Sequence, residues 1–134
     1  MDVLAAMLQE KGWDIIKKRV ERATSEDLSG EGVLLLASGT WNTGGIEGQL
    51  NPYMHRYLKK FAKDAELGGR KVACVGLGDD RYRYTCKSAD LLEEYVQSHG
   101  GELACEALRI VNEPYEQEDK INEWADALHS SLSA

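Results

Sequence analysis

Lys71–Cys86 reads KVACVGLGDDRYRYTC, and this stretch decides the fold. Val72, Ala73, Cys74 and Val75 form a short apolar run between glycines. A run of that length and setting predicts a strand buried on both faces. Gly76, Gly78, Asp79 and Asp80 then predict a loop where the backbone turns sharply and approaches a ligand. Tyr82 and Tyr84 follow, and a helix is expected from Ser88. In an open parallel sheet, loops at the carboxyl ends of strands line the ligand crevice. A plain strand-to-helix turn also uses Gly and Asp, so this stretch alone leaves both readings open.

Upstream, Val33–Ala37 (VLLLA) is a second fully apolar run and predicts a central strand. It leads into Ser38–Gly45 (SGTWNTGG), read as a glycine-rich loop carrying Trp41. Asp2–Lys11 predicts a helix with Val3, Leu4, Met7 and Leu8 on one face and Gly12 as its stop. That helix begins at once, with no strand before it. Trp13–Val20 predicts a strand whose Lys17, Lys18 and Arg19 suit a sheet edge. Pro52–Ala65 predicts a helix with Tyr53, Tyr57, Leu58 and Phe61 facing inward. Downstream, Ser88–Ser98 predicts a helix burying Leu91, Leu92, Tyr95 and Val96. Glu102–Val111 predicts a last strand region, interrupted around Glu106. Glu116–Leu132 predicts a helix with Ile121, Trp124, Leu128 and Leu132 on one stripe. Strands alternating with helices predict a parallel sheet covered on both faces. No repeat or linker divides residues 1–134, so a single domain is expected.

The composition, 43% hydrophobic and 29% charged, is ordinary for a globular protein. The formal net charge of -7 argues against nucleic acid and anionic membranes as main partners and suits docking on basic surfaces. Cys74, Cys86 and Cys105 are odd in number and lack CxxC spacing, which argues against a disulfide framework or zinc site and for a reducing, cytoplasmic setting. His55, His99 and His129 are scattered. No stretch is long enough to span a bilayer.

The two buried strands deliver Trp41 and Tyr82 to the same end of the sheet. Taken singly, Trp41 reads as a core residue and Tyr82 as a surface one. On adjacent loops they form a slot for a flat aromatic ligand, since stacked rings attract and lose little entropy. Gly76-Leu77-Gly78 is only the start of a GxGxxG pattern, so a dinucleotide site is not expected. Cys86 lacks a histidine nearby in sequence to activate it, and reads as a buried structural thiol.

These residues resemble the short-chain flavodoxins over Val3–Leu132. The matching stretches are VLLLASGTW (Val33–Trp41), LGGRKVACVGLGDDRYRYTC (Leu67–Cys86), ADLLEEYVQSHGGEL (Ala89–Leu103), LRI (Leu108–Ile110) and INEWA (Ile121–Ala125). The GxGDxxYxYxC pattern at Gly76–Cys86, with the Ser-x-Thr-Trp loop one strand earlier, is the specific part. The resemblance implies a three-layer α/β/α sandwich with a parallel sheet. It also implies an FMN-binding, low-potential electron carrier rather than an enzyme. Trp41 would stack on the inner face of the isoalloxazine and Tyr82 on the outer. The backbone of Ser38, Gly39, Thr40, Trp41 and Asn42, and of Gly76, Leu77, Gly78 and Asp79, would bond the ring edge. Asp79 and Tyr84 would shape the ring and ribityl pocket, with Thr43 and Cys86 completing the cofactor-binding set.

The chain departs from that family twice. The family opens with a strand and a Ser/Thr- and Gly-rich phosphate loop, and here Met1 already lies in the following helix. The resemblance therefore implies a first strand apparently missing between the Trp13 and Val33 strands. One edge of the Val33 strand is then left unpaired, which invites self-association, or else the Trp13 strand closes up beside it. The alternative expectation is a truncated fragment or interaction subunit that does not bind FMN alone. Asn42 stands where the family usually has Gly, whose peptide flips on reduction, and Asn tolerates positive φ less well than Gly.

Overall fold

The computed structural model describes residues 2–28, 32–43, 46–78, 86–111 and 117–133, with the backbone alone at 2–3, 25, 41–43, 46–47 and 133. Helix α1 spans Asp2–Glu10 and buries Leu4 and Leu8, one turn apart on one face. It stops at Gly12, whose φ of +96° suits a residue without Cβ.

Trp13–Val20 was expected as an edge strand, and this is corrected: no strand forms there, and a 3-10 turn follows at Val20–Arg22. Trp13 and Ile15 pack in the core layer of α1, whereas Val20 and Ala23 pack in the opposite layer. The segment thus crosses from one face of the sheet to the other, leaving Ile16 93% exposed. A second 3-10 turn, Ser25–Leu28, is closed by Asp27, whose carboxylate accepts from the Thr24 N–H at 2.7 Å. Lys18 at 2.8 Å, and after it the Thr24 N–H, hold the Asp27 carboxyl below its usual range.

Strand β1 runs Leu34–Thr43, well past the predicted Ala37. Its residues alternate between faces, Leu34 and Leu36 to one core, Leu35 and Ala37 to the other. Ser38–Thr43 is therefore corrected from a loop to the end of β1, while Gly44 and Gly45 lie outside the described residues. Strand β2, Ile46–Leu50, pairs antiparallel with β1 through Thr40–Leu50, Trp41–Gln49 and Thr43–Ile46, with a bulge between Trp41 and Thr43. The sheet is thus mixed, mostly parallel, rather than wholly parallel.

Helix α2, Pro52–Arg56, starts at Asn51, whose side chain accepts from the Tyr53 N–H at 2.9 Å, with Pro52 in the first turn. From Tyr57 to Phe61 it widens, and the Ala62 N–H bonds the Tyr57 carbonyl five residues back at 2.7 Å. Tyr57 and Leu58 are buried as expected, but Tyr53 and Phe61 are corrected to 58% and 53% exposed. The wide turn adds a residue to the repeat, so Ala62, not Phe61, reaches the core.

Strand β3 is Lys71–Gly78, buried from Val72 to Gly76. It pairs parallel with β1 from Leu34–Val72 to Gly39–Leu77. On its other side it pairs with β4, Glu102–Leu103, and then with β5, Leu108–Val111. The break at 104–107 agrees with the interruption expected near Glu106. Helix α3 spans Lys87–Ser98 and α4 Glu118–Ser133.

Two cores result, one on each face. Met54, Tyr57, Leu58, Leu92 and Val96 join Val72 and Cys74 under α2 and α3. Leu4, Leu8, Ile121, Ala125 and Leu128 join Ala73 and Val75 under α1 and α4. This is the expected three-layer sandwich. The outer edge of β1 is paired by β2 only from Thr40 onward; among the described residues no strand pairs there with 34–39.

Candidate functional site

The parallel register sets Ser38 beside Gly76 and Gly39 beside Leu77, so β1 and β3 end side by side. Both end at the amino end of α3, and a polar node joins the three. Ser88 Oγ donates to the Ser38 carbonyl at 2.8 Å, and the Ser88 N–H donates to Thr40 Oγ1 at 3.1 Å. The Thr40 hydroxyl lies 3.0 Å from both the Leu77 carbonyl and Ser88 Oγ, either of which takes its proton. Ser38 Oγ accepts from the Asn51 N–H at 3.0 Å and donates to the Gly39 carbonyl at 2.9 Å. Each group is satisfied within the protein, as buried polar groups must be. Ser38 and Thr40, whose backbone the resemblance offers to the ring edge, spend their hydroxyls on fixing the strand ends.

Gly76, Leu77 and Gly78 are corrected from loop to strand β3. A Cβ on Gly76 would lie 2.7 Å from both Ala89 Cβ and the Ala89 N. The glycine thus lets α3 seat directly on the sheet. Cys86 precedes α3 in the left-handed region, with φ 59°. It is buried, its thiol donates to the Ile110 carbonyl at 3.4 Å, and its carbonyl accepts from Arg109 at 3.0 Å. Arg109 also pairs with Asp90, which raises the guanidinium's already high pKa. Cys86 therefore holds the start of α3 in place, as its reading as a structural thiol expected.

The backbone of Trp41, Asn42 and Thr43 ends β1. Their side chains, and Asp79, Tyr82 and Tyr84 altogether, lie outside the described residues, so the ring slot rests on sequence. What the structure does describe is a cleft of about 190 Å³ at this end of the sheet. Val20, Ala37, Met54 and Leu77 give it apolar walls, and Ser38 and Asn51 give it polar ones. Apolar walls with a few placed polar groups are the usual make-up of a small-molecule pocket. Glu21 also lines it and is the one ionisable side chain there among the described residues. A phosphate gains nothing from that neighbour. Sequence reading missed Glu21, Asn51 and Met54 because they come from separate elements that only the crossover and α2 bring together.

Other ionisable groups are spent inside the fold. Burial pushes the Cys74 thiol up to about 12 and raises Cys105 too, so neither is a nucleophile at neutral pH. Among the described residues no cluster of His, Cys, Asp and Glu can hold a metal, and no helix is long and apolar enough to cross a membrane. Burial also raises Glu93, with Asp90 and Glu106 adding and Arg109 opposing. Folded Glu93 thus holds its proton to higher pH than unfolded Glu93, so its contribution to stability is lost as pH rises through the folded value. Glu93→Gln is expected to raise the urea midpoint at pH 7 and leave it unchanged at pH 4. A midpoint unchanged at both would show that Glu93 is fully solvated.

The flavodoxin family model matches residues 2–124. The chain belongs to the flavodoxin family. It is 28% identical over 126 residues to the flavodoxin of Nitratidesulfovibrio vulgaris strain Miyazaki F, covering 93% of this chain and 83% of that one. The oxidised flavodoxin 2 of Bacillus cereus superposes with a TM-score of 0.86 at 26% identity, covering 96% of this chain and 86% of that one. The Fusobacterium nucleatum flavodoxin, solved bound to flavin mononucleotide, shares the fold with a TM-score of 0.77 at 20% identity, over 96% and 87% of the two chains. Flavodoxins are electron carriers rather than enzymes, and the strand-end geometry above is where such a fold places its ligand.

Proposed function

We propose that the chain binds FMN at the carboxyl ends of β1 and β3 and carries electrons, the ring held between Trp41 and Tyr82. The observation that supports this reading is the register of Ser38 with Gly76 and Gly39 with Leu77: Trp41 lies on β1 just past that pairing, and in sequence Tyr82 follows β3. FMN supplies the redox chemistry. The chain's part is to stack on the ring, keep water from it and offer backbone groups at its edge, with Asp79 and Tyr84 shaping the pocket. Its formal charge of -7 favours partner proteins with basic surfaces. The outer edge of β1 at 34–39 is where a second copy would pair.

Flavin fluorescence during FMN titration tests the proposal: quenching should saturate at one equivalent. Trp41→Ala and Tyr82→Ala are each expected to weaken binding by roughly 1–3 kcal/mol, the range for bases stacked on aromatic side chains. An unchanged dissociation constant in both variants rejects the aromatic slot. Because Glu21 lines the cleft, Glu21→Gln is expected to tighten FMN but not riboflavin, which lacks the phosphate. Equal changes for the two flavins would place the phosphate away from Glu21. Sedimentation of the free protein tests the β1 edge, where a monomer at all concentrations refutes pairing.

A further inference from the structure

This acidic chain carries a concentrated positive surface. Residues 55–63, HRYLKKFAK, hold Arg56, Lys59, Lys60 and Lys63 and no acid. All four cations are exposed: Arg56 on α2, Lys59 and Lys60 on its wide continuation, and Lys63 in the turn that follows. They form no ion pair among the described residues. Phe61 is 53% exposed between them, with Arg56 Cζ 5.3 Å and Lys60 Nζ 5.7 Å from its ring centroid. Tyr53 is 58% exposed one turn before Arg56. The turn Val20–Arg22, which contacts α2, carries exposed Glu21 and Arg22, whose charges offset each other, so the positive surface is that of 55–63 alone.

The charge is segregated. Residues 90–126 hold eleven acids against Arg109 and Lys120, so the opposite sign gathers in the last third of the chain. Four like charges within eight residues repel each other, and none is offset by an ion pair among the described residues. An exposed phenylalanine held under two cations, rather than turned into the core, is an apolar contact ringed by positive charge. Aromatic and Arg anchors within a polar rim are what protein interfaces use.

We propose that this face of α2 docks an acidic protein surface bearing an apolar side chain that seats against Phe61. Charge complementarity selects the partner, and the aromatic fixes its register. Met54 and Asn51, on the other side of the same helix start, line the cleft at the strand ends, so the docked partner lies beside that cleft. The proposal does not need FMN to be bound. It differs from docking on the acidic remainder of the surface, which takes basic partners.

The test uses the full chain, isotope-labelled, with two synthetic acidic peptides as probes: a Glu/Asp-rich peptide with a central Leu, and the same peptide with Ser in its place. The Leu peptide is expected to shift amides within 53–63 and to leave those of α4 unmoved. Raising the salt should weaken it steeply, since the Debye length is ~10 Å at 0.1 M. Lys59→Glu with Lys60→Glu should reduce its affinity at least about tenfold, as like charges facing each other at an interface do. Phe61→Ser should bring the Leu peptide to the level of the Ser peptide. Both variants change exposed side chains, and an unaltered spectrum elsewhere confirms the fold. Shifts spread over the whole surface, or affinity unchanged by the charge reversal, overturn the proposal. Equal binding of the two peptides overturns the role of Phe61.

Discussion

Gly76→Ala is expected to destabilise the protein by about 2–3 kcal/mol, near the upper end of the usual cost of overpacking. The new methyl would lie 2.7 Å from the Ala89 N and Cβ and 3.0 Å from its Cα. Two of those atoms are helix backbone, so no rotamer change relieves the clash, and α3 must lift off β3. Replacing Gly by Ala elsewhere can gain ~0.4–1 kcal/mol by restricting the unfolded chain. Here the strain exceeds that gain. Ser88, one residue before Ala89, bonds both Ser38 and Thr40, so lifting α3 also loosens the ends of β1 and β3. The variant should therefore lose FMN affinity along with roughly 10 °C of thermal midpoint. A midpoint within a degree of the parent would mean that α3 adjusts at no cost.

Gly76 also shows which parts of the fold can be read from sequence. Its neighbours Val72–Val75 gave the strand correctly, because a run buried on both faces carries its environment in its own composition. The glycine itself was ambiguous. A loop near a ligand and a strand under a helix both demand a missing side chain, and only the partner, Ala89, distinguishes them. Trp13–Val20 failed for the reverse reason: a strand exists through its ladder, and the segment instead crosses between core layers, with Trp13 and Ile15 on one side and Val20 on the other. Phe61 failed through phase. The bond from Ala62 to Tyr57 inserts a residue into the helical repeat, and no side-chain pattern announces it. The hairpin at β1 and β2 was hidden because SGTWNTGG is glycine-rich. The candidate site was legible where both strands were, at Ser38 and Gly76. Glu21 and Met54 were not, because they reach it only through tertiary packing.

Ile121→Ala is expected to cost about 2–5 kcal/mol, the range for truncating a fully buried β-branched side chain to Ala. Ile121 is 0% exposed on α4, in the core shared by Leu4, Leu8, Leu108 and Ile110 on the α1 side of the sheet. The cavity cannot close easily, because α1 and α4 are tied beyond it. Lys11 pairs with Asp126, and Trp13 donates to His129 Nδ1 at 3.0 Å. Set against a total stability of ~5–15 kcal/mol for such domains, this is a large share. The lesion lies in the opposite core from Ala89, on which Gly76→Ala acts, with β3 common to both. Residues Val72 and Cys74 face one core while Ala73 and Val75 face the other, so neither helix layer can leave without exposing that strand. The double variant should therefore unfold in one transition, with the two losses adding to within about 0.5 kcal/mol, as for separated sites. Two transitions, with circular dichroism and tryptophan fluorescence following different midpoints, would show instead that the layer of α1 and α4 detaches before the sheet and α3 come apart.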